Sequence, residues 1–203
     1  MAYVVITLPL FVIMTRARNE LWRDPVRLWA DSVSKSPLKS RPQVNFGYEL
    51  HRRGDLDLAL EAYQRAHQLS FNDHGGTGTG PGTGSGRMLA LTNMSDILVR
   101  QNKIHEALAV LRLLWNEYPG FPAAAVNLSK ILGELGRLED ALAIVNAGIH
   151  VGPIAYPWYP STELLYLNRA EVLRVMGRWK EAEPDYWRAH QAWPWIPVPE
   201  CPF

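Results

Sequence analysis

The sequence predicts an all-α fold, a superhelix of about four stacked helix hairpins preceded by an N-terminal hydrophobic helix and a half-repeat. Three observations point to it. Apolar residues fall at helical spacing in paired short segments, most clearly in FPAAAVNLSKILGELGRLEDALAIVNAGIHVGP at 121–153. There Val126, Leu128, Ile131 and Leu132 precede Gly136-Arg137, and Leu138, Ala141, Leu142 and Val145 follow it. The segment reads as helices over about Pro122–Leu135 and Leu138–His150. Gly136 stands where a helix end takes a left-handed residue, and Pro153 where the next element should begin. Finally, the pattern recurs. Ala59, Ala107, Ala141 and Ala182 each open the packed part of a second helix, and Ala107 to Ala141 and Pro119 to Pro153 are both 34 residues. One such hairpin has too little apolar face to fold alone, so the copies must stack.

The elements follow in order. Residues 1–15 form a hydrophobic segment, and AYVVITLPLFVIMT at 2–15 carries no charge. As a helix this stretch reaches about 21 Å, short of the roughly 30 Å hydrocarbon core of a bilayer. It lacks the basic start and small-residue cleavage site of a signal peptide. A membrane anchor, or the last part of one, is the reading adopted; a buried helix kinked at Pro9 is the alternative. Arg16, Arg18 and Arg23 follow, which by the positive-inside tendency would place the repeats in the cytoplasm. Residues 16–37 form a polar joint and a half-repeat helix. Asp24 suits an N-cap with Pro25 at the first helical position, and Leu28, Trp29 and Val33 make one face.

Repeat 1 is expected at 38–74, repeat 2 at 88–120, repeat 3 at 121–153 and repeat 4 at 161–194. A Gly-rich flexible insertion at 75–87 separates the first two, and it leaves stacking intact at small closure cost. IAYPWYP at 154–160 is an aromatic, Pro-rich loop, expected to cover an apolar edge through Tyr156, Trp158 and Tyr159, with a binding lip as the alternative. Ser161 should cap the next helix, and Pro184 falls near the first turn of the last one, where its missing N–H costs least. Residues 195–203 form a Pro-rich tail, in which Trp195, with Trp193 before it, could fold over the open end of the stack.

The spacing, together with Phe46-Gly47, Gly54, Ala59, Tyr63 and Ala66 in repeat 1, resembles the tetratricopeptide repeat, a 34-residue helix-turn-helix unit. The resemblance covers roughly residues 40–194 and implies a right-handed α–α superhelix. The small residues Ala66, Gly148 and Ala189 share one column, where helices should cross closely. The N-terminal junction, through Arg16, Arg18, Asn19, Trp22, Asp24, Leu28, Trp29, Ser36, Pro37, Arg41, Asn45, Gly47 and Leu50, resembles that of transmembrane O-mannosyltransferase-like proteins and their bacterial relatives. In that family tetratricopeptide repeats follow a multi-pass membrane domain. This likeness implies a repeat arm on the periplasmic or lumenal side, with the catalytic residues in membrane loops that these residues do not include.

Asn45, Asn93, Asn127 and Asn168 occupy the same place in the first helix of all four repeats. Asparagine is a mediocre helix former, so the column reflects either inheritance from one ancestral repeat or a role of its own. A carboxamide both donates and accepts, so it can bracket a peptide unit without reading its side chain. In tetratricopeptide proteins the first helices line the concave face, and the column resembles that family's ladder for a bound peptide backbone. The other reading is that the asparagines bond between adjacent helices. Selectivity for a ligand would come from residues nearby: Tyr48 and Arg52, Asp96 and Arg100, Lys130 and Glu134, and Glu171. Their charges are mixed and indicate no uniformly acidic ligand.

Composition narrows the rest. There are 21 basic and 20 acidic residues, a formal net charge of +1, which gives no support for a nucleic-acid partner. The single cysteine, Cys201, leaves no internal disulfide or cysteine-based zinc site. A phosphate loop in the Gly-rich stretch would need glycine at 81, lysine at 87 and serine or threonine at 88, where the chain has Pro81, Arg87 and Met88. No nucleotide, cofactor or metal is expected. The six histidines form no i, i+4 pair, and no catalytic constellation emerges. The sequence therefore reads as a non-catalytic scaffold for a peptide or protein partner, membrane-associated through its N-terminus. An acceptor-presenting arm of a membrane glycosyltransferase is the alternative.

Overall fold

The computed structural model describes residues 2–71, 85–157 and 162–199. Within them lie ten α-helices and no strand, the all-α repeat fold expected. The helices are α1 (Ala2–Trp22), α2 (Pro25–Lys35), α3 (Ser40–Arg53), α4 (Leu56–Ser70), α5 (Ser85–Arg100), α6 (Ile104–Glu117), α7 (Pro122–Glu134), α8 (Leu138–Ala155), α9 (Thr162–Val175) and α10 (Trp179–Ala192). The chain forms two compact units, Met1–Ile97 and Leu98–Phe203. In the first, α1 packs on α2, α2 on α3 and α3 on α4. In the second, α7 packs on α6, α8 and α9, and α9 packs on α8 and α10.

One turn motif builds the hairpins. Gly54, Asn102, Gly136 and Gly177 all have positive φ, at 91°, 59°, 72° and 74°. The next amide in each case reaches back to close the helix end: Asp55 to the Leu50 carbonyl (3.0 Å), Lys103 to Leu98 (2.8 Å), Arg137 to Leu132 (2.8 Å) and Arg178 to Leu173 (2.9 Å). This pairing satisfies carbonyls that a helix end otherwise leaves open. Repeat 2 uses asparagine, the side chain that best tolerates the left-handed region after glycine.

Packing follows the small residues. Ala59, Ala107, Ala141 and Ala182 are all 0% exposed, and so are Ala66 and Ala189. A Cβ on Gly148 would come within 2.8 Å of the Ala125 Cβ, so α7 and α8 approach there as the small-residue column anticipates. Gly47 leaves the space that the Tyr63 ring fills, since a Cβ there would lie 2.9 Å from the ring. Asp24 caps α2 as expected, its Oδ1 accepting from the amides of Val26 (3.0 Å) and Arg27 (3.3 Å), with Pro25 in the first turn.

Several elements differ from expectation. The polar joint is helical: α1 runs unbroken from Ala2 to Trp22. Helix α8 does not stop near His150 but continues through Pro153 to Ala155. Proline this close to a helix end removes one ladder bond only, and the Tyr156 amide still reaches the Gly152 carbonyl at 2.8 Å. Ser85, Gly86 and Arg87, placed in the insertion, belong to α5. The rest of the insertion, Trp158, Tyr159, the expected cap Ser161 and Cys201 lie outside the described residues. Tyr156 covers Phe121 edge-on, with ring centroids 5.3 Å apart, and its hydroxyl donates to the Pro119 carbonyl at 3.3 Å. The tail turns back on α10 through Ile196, whose carbonyl oxygen lies 2.7 Å from His190 Nδ1, while Trp195 stays 77% exposed and covers little.

Candidate functional site

The predicted residues divide between the two units. In the first, Asn45 and Tyr48 lie on α3, half-buried and exposed respectively. Arg52 is held by Glu49 one turn away, at 3.0 Å. Asn93 on α5 donates from Nδ2 to the Tyr63 hydroxyl on α4, at 3.1 Å. Burial pushes the Tyr63 phenol well above its usual range, and the bond from Asn93 offsets this only in part. Asp96 on α5 lies 3.3 Å from His51 Nε2 on α3. Asn93 and Asp96 thus both tie α5 to its neighbours.

The second unit holds Arg100, exposed at the end of α5, and the remaining predicted residues. Asn168 is 6% exposed, and its Nδ2 donates to the Ser129 hydroxyl, which in turn donates to the Val126 carbonyl at 3.0 Å. This short relay joins α9 to α7. Asn127 is half-buried, and Lys130 and Glu134 are exposed on α7. Glu171 Oε1 accepts from the Tyr186 hydroxyl at 2.7 Å, and its Oε2 accepts from Arg174 at 2.9 and 3.1 Å. Burial and the bond to Glu171 together push the Tyr186 phenol upward. Glu171 in turn raises the Arg174 guanidinium, chiefly through their hydrogen bond.

Four of the predicted residues, Lys130, Glu134, Asn168 and Glu171, line one cavity of about 340 Å³ on the α7–α9 face. Leu138, Val172 and Val175 supply its apolar lining. Gly133 and Ser129 complete it, and neither was singled out from the sequence. Gly133 carried a signal all the same. Glycine inside a helix costs roughly 0.5–1 kcal/mol against alanine, and a Cβ at Gly133 would meet nothing within 4 Å. Packing therefore does not require a glycine there. Tyr48, Arg52, Asn45, Asn93, Asp96, Arg100 and Asn127 do not line this cavity.

The chemistry of the site is mixed. One ammonium and two carboxylates stand beside an aliphatic surface, and one carboxylate, Glu171, already shares its charge with Arg174. Such a site has no single-sign field. It can seat an aliphatic or aromatic side chain and leave polar groups for the flanking main chain.

Comparison with known proteins fits this architecture. The tetratricopeptide-repeat family model matches residues 98–153, which hold α6, α7 and most of α8. A search of curated proteins returns no match. Among solved structures, residues 41 to the end of MamA from Desulfovibrio magneticus RS-1 is 14% identical, with a TM-score of 0.59 over 91% of this chain and 93% of that one. TTC0263, a thermophilic TPR protein in Thermus thermophilus, is 20% identical, with a TM-score of 0.53 over 75% and 73%. Another MamA crystal structure is 13% identical, with a TM-score of 0.58 over 82% and 85%. At these identities the likeness is one of fold: an α-helical tetratricopeptide-repeat fold. None of these matches indicates a catalytic family.

Proposed function

We propose that this chain is a non-catalytic protein-interaction scaffold whose second compact unit holds an extended peptide of a protein partner along α7 and α9. The observation that carries the reading is the cavity that gathers Lys130, Glu134, Asn168 and Glu171 beside Leu138, Val172 and Val175. An apolar side chain of the peptide occupies it. Lys130 and Glu134 take the flanking carbonyl and amide, and Asn127 brackets the next peptide unit. Asn168 acts from beneath, by fixing Ser129. A random-peptide phage library panned on the full chain tests this. Enriched peptides should carry a large apolar residue, and a labelled synthetic copy should bind about tenfold or more weakly to Gly133→Leu, with helicity unchanged. Failure to enrich any peptide, or equal binding to the variant, overturns the reading.

Membrane tethering rests on a separate observation. Leu10, Phe11, Val12, Ile13 and Met14 on α1 are 47–66% exposed, a run of apolar side chains facing all around the helix. No helix among the described residues is long and apolar enough to cross a membrane. In this reading the apolar stretch of α1 enters the bilayer, with Arg16 at the headgroups. Flotation of the full chain with liposomes, lost in Phe11→Lys Ile13→Lys, tests this; flotation equal to wild type overturns it. The same unbroken α1, packed on α2, favours the second reading, an arm that presents acceptor proteins to a membrane glycosyltransferase. Co-purification from membranes with a multi-pass transferase would support that reading, and its absence would count against it.

A further inference from the structure

A second groove lies on a different face of the second unit, between the second helices α6 and α8. Its volume is about 220 Å³. Arg112 and Trp115 line it from α6, Asp140, Ala143 and Ile144 from α8, and Arg137 from the cap of α8, with leucines of α7 at the base. Its two walls are anchored, because Trp115 and Ile144 also pack on the buried cluster of Ala125, Val126 and Leu165.

The polar lining has one sign to spare. Asp140 is the one carboxylate there, and Arg137 already engages it, Nε to Oδ2 at 2.7 Å. Arg112 makes no hydrogen bond or ion pair among the described residues. One uncommitted guanidinium therefore stands beside an aliphatic and aromatic surface, without a carboxylate to neutralise it. A guanidinium offers five N–H donors in a planar fork that matches a carboxylate. The complementary ligand presents a carboxylate next to an aliphatic side chain.

We propose that the α6–α8 groove is a second docking site, which takes an acidic segment of a partner protein with a leucine-sized residue beside Asp or Glu. The side chain rests against Trp115 and Ile144, and the carboxylate pairs with Arg112. The site is independent of the α7–α9 cavity, so the chain can engage one partner on two faces or two partners at once.

The test uses the full chain and a fluorescein-labelled peptide of alternating glutamate and leucine, read by fluorescence polarisation. Two control peptides carry lysine for glutamate or serine for leucine. Arg112 and Ala143 are both exposed, so Arg112→Glu and Ala143→Trp change the groove without touching the core. The glutamate–leucine peptide should bind wild type. Each variant and each control peptide should reduce binding by about tenfold or more, and added salt should weaken it. Gly133→Leu should leave it unchanged, which separates failure here from failure of the α7–α9 reading. No binding by wild type, equal binding of the lysine peptide, or wild-type binding by Arg112→Glu overturns the proposal. If Ala143→Trp loses helicity, Arg112→Glu decides alone.

Discussion

Arg169 grips Asp185 through two parallel hydrogen bonds, Nε to Oδ2 at 2.6 Å and Nη2 to Oδ1 at 2.8 Å. A third donor, Nη1, reaches Asn146 Oδ1 at 3.1 Å, so one guanidinium joins α8, α9 and α10. Tyr166 lies alongside, with the Arg188 guanidinium 4.0 Å from its ring centroid. Asp185 is 5% exposed and has little water to fall back on. The bond to Asp185 outweighs burial and raises the Arg169 guanidinium, so the guanidinium stays charged.

Removing both partners should therefore cost less than the two single removals added together. Arg169→Ala leaves a buried carboxylate and should cost about 2–4 kcal/mol, somewhat below a fully buried pair because Arg169 is partly solvated. Asp185→Ala should cost less, since Arg169 can turn to water. Urea denaturation of both single variants and the double variant checks this, and the double should lose less than the sum of the singles.

Stability should fall on the alkaline side. Burial raises the phenols of Tyr63, Tyr156 and Tyr186 above the ordinary tyrosine value. From pH about 10 the unfolded chain releases these protons while the fold retains them. The folded state then binds more protons, so its stability drops as pH rises. This contribution is fully present below pH about 10 and is lost through the raised folded-state values. Tyr63→Phe Tyr186→Phe should start from a lower urea midpoint at neutral pH and lose less of it above pH about 10.

Two turn glycines should respond differently to alanine. At Gly120, φ is 78° and an added Cβ would lie 2.5 Å from Val151 on α8. Strain and overpacking add there, so Gly120→Ala should cost about 2–4 kcal/mol. At Gly136, φ is 72° but nothing lies within 4 Å. Gly136→Ala should cost only about 1–2 kcal/mol, the backbone part alone. Thermal unfolding compares the two.

Gly133→Ala should separate stability from binding. The residue is inside α7 with open space at its Cβ, so the change should stabilise by about 0.8–1.0 kcal/mol. The same methyl narrows the α7–α9 cavity, so the melting temperature should rise while peptide capture weakens.

The asparagine column should split the same way. Asn168→Ala leaves a void and takes a donor from Ser129, at a cost of about 1–2 kcal/mol. Asn127→Ala should shift stability by less than about 0.5 kcal/mol and act on peptide binding instead. Chemical denaturation beside a peptide titration distinguishes the two.

These cases show what was legible in the sequence. Gly54, Gly136 and Gly177 mark their turns because few other residues take positive φ. Ala59, Ala107, Ala141 and Ala182 mark the close crossings because nothing larger fits. Asn102 does the same work as the glycines, but asparagine is common elsewhere and does not by itself mark a turn. Pro153 misled because its effect depends on how near the helix end lies, which α8 decides by packing on α7 and α9. The asparagine column was visible as a pattern. Where each carboxamide bonds was not, because the acceptors, Tyr63 for Asn93 and Ser129 for Asn168, stand on other helices 30 and 39 residues away. The cavity likewise needed Leu138 and Val172 brought together by the α7–α8 and α8–α9 contacts.

Among the described residues, the main helix contacts of the second unit join each helix to the next or the next but one along the chain. No distant strand or closing loop has to arrive before a hairpin gains its neighbours, so contact order is low and assembly should be fast. Disassembly should be piecewise as well. Pulled from its C-terminus, the α9–α10 hairpin would peel away in a discrete step once the Arg169–Asp185 clamp gave, leaving α7 and α8 still paired as a shorter spring.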